Sequence, residues 1–475
     1  METVNWLQEV TSRKQALLDD LFRLLEIDSV RNDELASPEA PVGPGPLKAL
    51  EEFMTMAEED GFTTKQFGPW AGRVEIGSGE ELLGILGHVD VVPAGSGWET
   101  DPFEPVIKDG RIYGRGSSDD KGPTVAAYFA IKLLRELGVE FNKRIHLIVG
   151  TDEESGWQCM DYYFQHAEMP DFGFSPDADF PIINGEKGNV SALISTCNGN
   201  QCEGQVELVS FEAGLRPNMV PESALAKLKV VDSDLLKHLN LEKDFASYLK
   251  DNQLKGEISV LDDMVTITLI GKSAHGSTPE KGINGATYLA RFLSRLTFNQ
   301  EQAQDFIKVL SDPLFLGFDG SKVGVAHNHE VMGDVSMNVG IANYRQADDV
   351  LIDINFRFPK GTHPEQMLEQ IQESLKDYKC LEIKMSSAKE PHYVPADDPL
   401  VTTLLDVYQK QTGQEAYEQT IGGGTYGRLM PRGVAYGALF PDSIDTMHQA
   451  NEFLAEEDLL RATAIYAEAI YRLTR

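Results

Sequence analysis

The sequence predicts an α/β fold in which a doubly wound domain is interrupted by an inserted α+β domain. In the first part of the chain, short apolar runs alternate with stretches of helical periodicity, the pattern of a sheet covered by helices. From about Gly188 the pattern changes to strands with alternating polar and apolar residues. After Pro391 it reverts, so we expect the C-terminal part to complete the first domain.

The first part begins with an amphipathic helix, because apolar residues recur at helical spacing from Trp6 to Leu25 with acidic residues between them. The continuous apolar runs 82–86 and 145–149 are each followed by glycine and predict buried strands. Helices are predicted over 125–137 and 157–166.

The middle part is expected to hold strands with alternating polar and apolar residues, such as 259–271, then a helix over 284–296 and a second set of strands near 351–358. The last part has a predicted helix over 399–412, an apolar run at 434–440 and a closing helix over 455–473. The predicted organisation is therefore a first domain in two parts, 1–186 and 388–475, around an inserted domain over 187–387.

Composition and charge exclude several classes of partner. The 475 residues carry a formal net charge of −33, and a field of that sign repels phosphate backbones and anionic lipid. No apolar stretch approaches the roughly 20 residues that cross a bilayer, and the N-terminus lacks the basic and apolar order of a signal peptide. The four cysteines form no CxxC pair and are expected to be reduced thiols. We expect a cytoplasmic protein with neither nucleic acid nor membrane as partner.

Five polar motifs stand out, most of them directly after a strand-like run. They are GHVD at 87–90, GRGSSDDKG at 114–122, TDEE at 151–154, SPDAD at 175–179 and MHQANE at 447–452. Each alone fits a turn, a helix cap or a structural hydrogen bond. Together they supply two histidines and several carboxylates, a donor set suited to zinc, manganese or cobalt.

Their spacing suits metal-assisted hydrolysis. His88 is a candidate ligand, and Asp90, two residues on, could accept the other imidazole N–H. The adjacent Asp119 and Asp120 are costly to bury unless a cation neutralises them. Glu153 and Glu154 could divide two tasks, one holding an ion and the other taking the proton of a water.

The motifs also carry a family resemblance. The succession GHVDVVP, GRGSSDDKG, TDEES, SPDADFPIINGEKG and MHQANEF resembles the co-catalytic zinc peptidases that include aminoacylase, acetylornithine deacetylase, carnosinases and bacterial dipeptidases. The sequence is most similar to the peptidase V type of dipeptidase, as in GRVEIGSG, GWETDPF, EPHYVP, IGGGTYGRL, PRGVAYGALFP and AIYAEAIYRLT. The resemblance spans essentially the whole chain.

The resemblance implies two zinc ions per subunit, with Mn²⁺ or Co²⁺ as substitutes. By family likeness the ligands are His88 and Asp177 on one ion, Glu154 and His448 on the other, and Asp119 on both. Glu153 would be the general base and Asp90 would orient His88. The Asp119–Asp120 peptide bond is expected to be cis.

The resemblance also implies substrate-binding residues and makes the inserted domain a lid. His275 looks like the family's lid histidine, which stabilises the oxyanion, and Asn218 and Arg357 look like residues that contact the substrate backbone. In the GGGTYGR segment, Gly424, Thr425 and Arg428 would bind a free carboxylate. Each of these segments alone equally fits a turn or a core position. His327-Asn328-His329 lies outside every family motif and is predicted to be loop, not a third metal site.

These observations predict hydrolysis of dipeptides that have a free C-terminal carboxylate. The alternative within the same family is an N-acyl amino acid deacylase, because the metal ligands do not separate the two activities. A non-catalytic binding protein would require a lost ligand or base, and all six positions are filled. The length of the lid resembles the enlarged form, which implies a monomer.

Overall fold

The computed structural model describes residues 4–196, 199–231, 240–345 and 350–475. The chain divides into two compact units, the first formed by Met1–Gly185 with Tyr393–Arg475 and the second by Glu186–His392. For comparison, the insert predicted from the sequence covers 187–387.

Eleven helices occur in the described part of the chain. They are α1 (Trp6–Thr11), α2 (Lys14–Leu25), α3 (Pro44–Glu59), α4 (Lys121–Glu136), α5 (Gln158–His166), α6 (Leu241–Asp251), α7 (Gly285–Leu293), α8 (Glu301–Ser311), α9 (Pro364–Ser374), α10 (Pro399–Thr412) and α11 (Glu456–Leu473). None of these helices is long and apolar enough to cross a membrane.

The strands of the first part of the chain are β1 (Thr63–Phe67), β2 (Ala71–Gly77), β3 (Leu82–His88), β4 (Val106–Lys108), β5 (Arg111–Tyr113), β6 (Arg144–Gly150), β7 (Phe172–Ser175), β8 (Ala178–Asp179) and β9 (Ile183–Glu186). Those that follow are β10 (Gly188–Thr196), β11 (Val206–Ala213), β12 (Ser223–Val230), β13 (Lys255–Leu261), β14 (Met264–Ile270), β15 (Asn328–His329), β16 (Gly333–Asp334), β17 (Ser336–Arg345) and β18 (Leu351–Phe358). The last are β19 (Leu381–Met385), β20 (His392–Tyr393), β21 (Gln419–Ile421), β22 (Gly433–Ala435), β23 (Ala438–Leu439) and β24 (Phe453–Ala455).

The main sheet of the first unit has the order β1-β2-β6-β3-β7-β22-β9. Its centre is parallel, since β3 pairs in parallel with β6 and β7, and β22 pairs in parallel with β7. Along β3 and β6, Ile85 and Leu147 belong to the apolar core that contains α4 and α11, whereas Leu86 and Ile148 belong to a second cluster with residues of α5. Helices therefore cover both faces, and the predicted doubly wound α/β fold is confirmed.

The second unit contains an eight-stranded antiparallel sheet of order β13-β14-β12-β11-β17-β18-β10-β19. One face is apolar and packs on residues of α6 to α9. On β18 the alternate residues Asp353, Asn355 and Arg357 lie on the opposite face, as the two-residue period of a strand requires.

Two predicted elements differ from the structure. The N-terminal helix is broken at Ser12 and Arg13, where the Ser12 hydroxyl donates to the Glu9 carbonyl at 2.8 Å and competes with the helical pattern. Residues 259–271 do not form one strand, because Asp262 takes a positive φ of 55° and turns the chain into the β13–β14 hairpin.

Candidate metal centre

Three parallel strands end at the same edge of the main sheet and place the first polar groups there. β3 ends at His88 and pairs with Gly150 at the end of β6, after which the chain continues to Glu153 and Glu154. β7 ends at Ser175, two residues before Asp177. This is the edge where parallel α/β sheets bind ligands.

His88 and two carboxylates form one half of the centre. Nε2 of His88 lies 3.2 Å from Oδ1 of Asp119 and 3.8 Å from Oδ2 of Asp177. The imidazole is fully buried, and its Nε2 makes no hydrogen bond to any described residue. A buried nitrogen without a partner, facing two carboxylates, is what a bound cation would satisfy.

His448 forms the other half with the second oxygen of the same aspartate. Nε2 of His448 lies 2.9 Å from Oδ2 of Asp119 and 3.2 Å from Oε1 of Glu154. The two carboxylate oxygens of Asp119 therefore face different histidines. One histidine lies 31 positions before Asp119 in the sequence and the other 329 positions after it. This arrangement suits a carboxylate that bridges two ions.

The charges of this cluster are poorly compensated by protein groups alone. Burial, together with the charges of Asp119, Asp120 and Glu153, raises the pKa of Asp177 well above its usual range. Burial and the charges of Glu154 and Asp119 do the same to the pKa of Glu153. The hydrogen bonds that the His448 ring donates to the carboxylates of Asp119 and Glu154 raise the pKa of His448 to about 10. Divalent cations would relieve this repulsion, so the donor set and its electrostatics fit a metal pair.

Glu153 lies as close to the first half of the centre as a ligand would. A carboxylate oxygen of Glu153, a ring nitrogen of His88 and an oxygen of Asp177 all lie within 4.8 Å of one another. His88, Asp119 and Glu154 form a second such group. Proximity alone therefore leaves Glu153 as either a ligand or a base.

Asp90 contacts both His88 and the chain after β6. Nδ1 of His88 lies 2.9 Å from the backbone carbonyl oxygen of Asp90, with the carboxylate Oδ1 at 3.5 Å. The carboxylate also accepts the backbone amides of Glu153 and Glu154, each at 3.1 Å. The backbone carbonyl of Asp90 is therefore the nearer acceptor for His88, and the carboxylate joins His88 to the segment that carries the two glutamates.

Asp120 is a supporting residue whose place the sequence did not reveal. Its Oδ2 accepts the His88 amide at 3.2 Å and the Thr124 hydroxyl at 2.7 Å. A Cβ at Gly87 would lie 2.1 Å from that hydroxyl oxygen, which explains the glycine before His88. The peptide bond between Asp119 and Asp120 is cis, as expected.

The predicted carboxylate-binding segment lies beside His88. The Thr425 hydroxyl accepts the Gly427 amide at 3.1 Å and caps a short 3₁₀ turn, while Gly424 is exposed and Arg428 is half-buried. The ring of Tyr426 contacts the His88 ring edge-to-face at 6.3 Å between centroids, and its hydroxyl lies 2.9 Å from Sγ of Cys159. Tyr426 is fully buried and was not singled out from the sequence, where it looks like an ordinary core aromatic.

In the second unit, Asn218 and His275 are brought together. The Gly276 amide donates to the Asn218 carbonyl at 2.7 Å, and Met219 pairs with His275. Partial desolvation and the Arg357 guanidinium lower the pKa of His275. Buried Asn338, which the sequence did not mark, donates its amide to the carbonyls of Pro217 and Met219 at 2.8 and 2.9 Å and so holds the segment that carries Asn218.

The remaining expectations concern histidines and cysteines. The prediction of loop for 327–329 is wrong in part, because Asn328–His329 pairs with Gly333–Asp334. Within the described residues, neither histidine joins a group of metal-binding side chains. Cys159 is a buried thiol and Cys202 an exposed one, and neither forms a disulfide; Cys197 lies outside the described residues.

Comparison with known proteins places the chain in a family. The sequence profile of Peptidase family M20/M25/M40 matches residues 84–472. A Staphylococcus haemolyticus protein named "Putative dipeptidase" is 44% identical over 472 residues, covering 98% of this chain and 99% of that protein. A Staphylococcus epidermidis protein of the same name is 42% identical over 470 residues, with the same coverage.

Solved structures of low sequence identity share the fold. Aminoacylhistidine dipeptidase from Vibrio alginolyticus has a TM-score of 0.57 at 15% identity, covering 97% of this chain and 96% of that one. Human carnosine dipeptidase 1 has a TM-score of 0.56 at 15% identity, covering 99% and 98%.

The fold and the site thus define a metal-dependent peptidase. The chain belongs to Peptidase family M20/M25/M40, whose members depend on a dinuclear metal centre.

Proposed function

We propose that this enzyme is a dipeptidase that cleaves dipeptides with a free C-terminal carboxylate. The observation that carries the proposal is the bridging geometry of Asp119, which presents one oxygen to His88 and the other to His448. The dipeptidase names of relatives that match almost the whole chain support the choice of substrate.

The proposed metal ligands are His88, Asp177, Asp119, Glu154 and His448, holding two Zn²⁺, with Mn²⁺ or Co²⁺ as substitutes. When bound, such ions lower the pKa of a water and polarise a carbonyl group. The imidazole and carboxylate donors of this chain are the types that zinc takes in catalytic sites.

Glu153 is proposed as the general base and acid. It adjoins Glu154 in sequence, its amide is fixed by Asp90, and its carboxylate lies beside His88 and Asp177. From there it takes the proton of the attacking water and returns it to the leaving amine. The peptide C–N bond breaks as that nitrogen gains the proton.

Other side chains are proposed to bind the substrate. His275 would stabilise the oxyanion, and Asn218 and Arg357 would contact the substrate backbone. The amides around Gly424 and Thr425, with the Arg428 guanidinium, would bind the terminal carboxylate. A carboxylate contact at a fixed distance from the scissile bond would select substrates with one residue after it.

The alternative is an N-acyl amino acid deacylase, which would use the same ligands. The dipeptidase and the deacylase are distinguished by hydrolysis rates on a dipeptide, a tripeptide and an N-acetyl amino acid. The rates are measured with zinc-, manganese- and cobalt-loaded protein. The proposal requires the dipeptide to have the highest kcat/KM. A higher value for the N-acetyl amino acid would make the enzyme a deacylase.

The proposal includes a cytoplasmic monomer. Sedimentation equilibrium should then give a mass near the 52.6 kDa of one chain. A stable species of twice that mass would contradict the likeness to dipeptidases with an enlarged lid.

A further inference from the structure

We infer that the ion pair of Arg115 and Glu452 is a positioning device for the half of the metal centre formed by Asp119, Glu154 and His448. The inference rests on the proposed metal-binding role of those three residues. The Glu452 carboxylate contacts the backbone of Asp119 and its neighbours, and Arg115 holds that carboxylate, so both act through the backbone that carries the ligands.

Glu452 holds the loop that presents Asp119. Its Oε1 accepts three backbone amides, those of Gly116, Ser118 and Asp119, at 3.1, 2.8 and 3.2 Å. Its backbone carbonyl accepts the Gly114 amide at 3.2 Å. One carboxylate and one carbonyl therefore fix most of the loop from 114 to 119.

Arg115 neutralises Glu452 and ties it to the chain after β3. Its Nη1 donates to Oε2 of Glu452 at 2.5 Å, and its Nη2 donates to the carbonyls of Pro93 and Ala94 at 3.3 and 3.2 Å. The guanidinium also lies over the Trp98 ring, 5.3 Å from its centroid. Arg115 and Glu452 are 1% and 0% exposed, so the pair is desolvated and its geometry is strictly held.

The two halves of the centre depend on this pair to different degrees. His88 is the last residue of β3, which pairs on both sides with β6 and β7, so the sheet fixes it. His448 has a positive φ of 61°, lies in a loop, and its side chain is 55% exposed. Glu452 follows it by only four residues, so anchoring Glu452 to the Asp119 loop sets the separation of Asp119 and His448.

The test is metal affinity measured by competition with a chromophoric chelator, which needs no substrate. Glu452→Gln keeps the size of the side chain and an oxygen for the amides but removes the charge opposite Arg115. We expect one of two zinc ions to bind at least about tenfold more weakly, in the range found for residues that support ligands, and the other to change less than twofold.

Combined variants identify the ion that is weakened. In a His88→Ala background, Glu452→Gln should further weaken the remaining ion, whereas in a His448→Ala background it should not. The reverse pattern, or equal weakening of both ions, would overturn the inference.

A second variant is needed because Glu452→Gln leaves the charge of buried Arg115 without its counter-charge, which could cause misfolding. The double variant Arg115→Met/Glu452→Gln carries no buried charge, and it should show the same selective loss with a native circular dichroism spectrum. Asp398→Asn is the control, since it removes the negative charge from another arginine–carboxylate pair of the same unit, that of Asp398 and Arg432. If it and the double variant lower the melting temperature equally and neither changes metal affinity, the pair is only a structural bridge.

The outcome is separate from that of the proposed function. A protein that binds two ions with the selective loss described, yet does not hydrolyse dipeptides, supports this inference and refutes the substrate proposal. Wild-type protein that binds a single ion would overturn the inference itself.

Discussion

Oδ1 of Asp90 accepts the backbone amide of Glu153 at 3.1 Å. The other oxygen of the same carboxylate accepts the next amide, that of Glu154, at the same distance. Asp90 is 2% exposed, so these hydrogen bonds to its carboxylate are made away from water. The chain after β6 is thereby held where both glutamates face the histidines.

Replacing Asp90 by Asn should slow turnover without emptying the centre. The substitution turns one acceptor oxygen into an amide donor that opposes a backbone N–H. Loss of a charged hydrogen bond of about 1.5–3 kcal/mol predicts a roughly tenfold to hundredfold lower kcat. Steady-state kinetics and metal analysis of the purified variant check this. Unchanged kcat would show that the position of Glu153 does not depend on Asp90.

A second prediction concerns the substrate's carboxylate. A dipeptide amide lacks the anionic end that Arg428 is proposed to bind, so its kcat/KM should be about tenfold to hundredfold below that of the dipeptide. The Arg428→Ala enzyme should discriminate much less between the two. Equal rates with the unmodified enzyme would remove the carboxylate contact from the account and leave substrate length unexplained.

A third prediction concerns stability and pH through His146, which lies in β6 away from the metal centre. Its ring is 1% exposed, neither ring nitrogen hydrogen-bonds to a described residue, and Nε2 lies 3.5 Å from Glu75. Burial, aided by the charge of Arg73, lowers its pKa to about 4. Glu168 raises this pKa and Arg144 lowers it further.

The direction of the pH effect on stability follows from which state of the protein takes up the proton. Between pH 6.5 and pH 4 the unfolded chain binds a proton at this histidine and the folded protein does not, so stability is lost as pH falls through that window. The loss is at most about 3 kcal/mol. His146→Gln should therefore lose less stability than the wild type between pH 7 and pH 5.

Tryptophan fluorescence is the appropriate measurement, because Trp6, Trp70, Trp98 and Trp157 all belong to the first unit, as does His146. The wild type and His146→Gln are both treated with a chelator before thermal unfolding. Protonation of the metal-binding side chains then contributes equally to the two proteins. Parallel pH dependence of the two melting temperatures would show that His146 does not titrate as described.

Much of the fold and site could be predicted because the signals are local. Strands such as β3 and β6 are short continuous apolar runs, and the residues that follow them, His88 and Glu153 among them, reach one edge of the sheet by parallel pairing alone. The cis bond after Asp119, which was expected only from the family resemblance, is present.

The supporting contacts could not be predicted, because they join residues far apart in sequence. Glu452 meets the Asp119 amide across 333 positions, and Asn338 meets the Pro217 carbonyl across 121. Each looks like an ordinary polar residue until the fold brings its partner to it. The two backbone amides that the Asp90 carboxylate accepts likewise come from the chain after another strand, β6.

Glu153 is proposed to move the proton while Glu154 holds an ion. Glu153→Gln and Glu154→Gln are matched variants for which bound zinc and dipeptide turnover can be measured on the same samples. Glu153→Gln should retain two ions and lose about 100- to 10,000-fold in kcat, the range typical of a general base. Glu154→Gln should lose close to one ion. If instead Glu153→Gln loses zinc and Glu154→Gln keeps both ions, the two roles are reversed and the mechanism is contradicted.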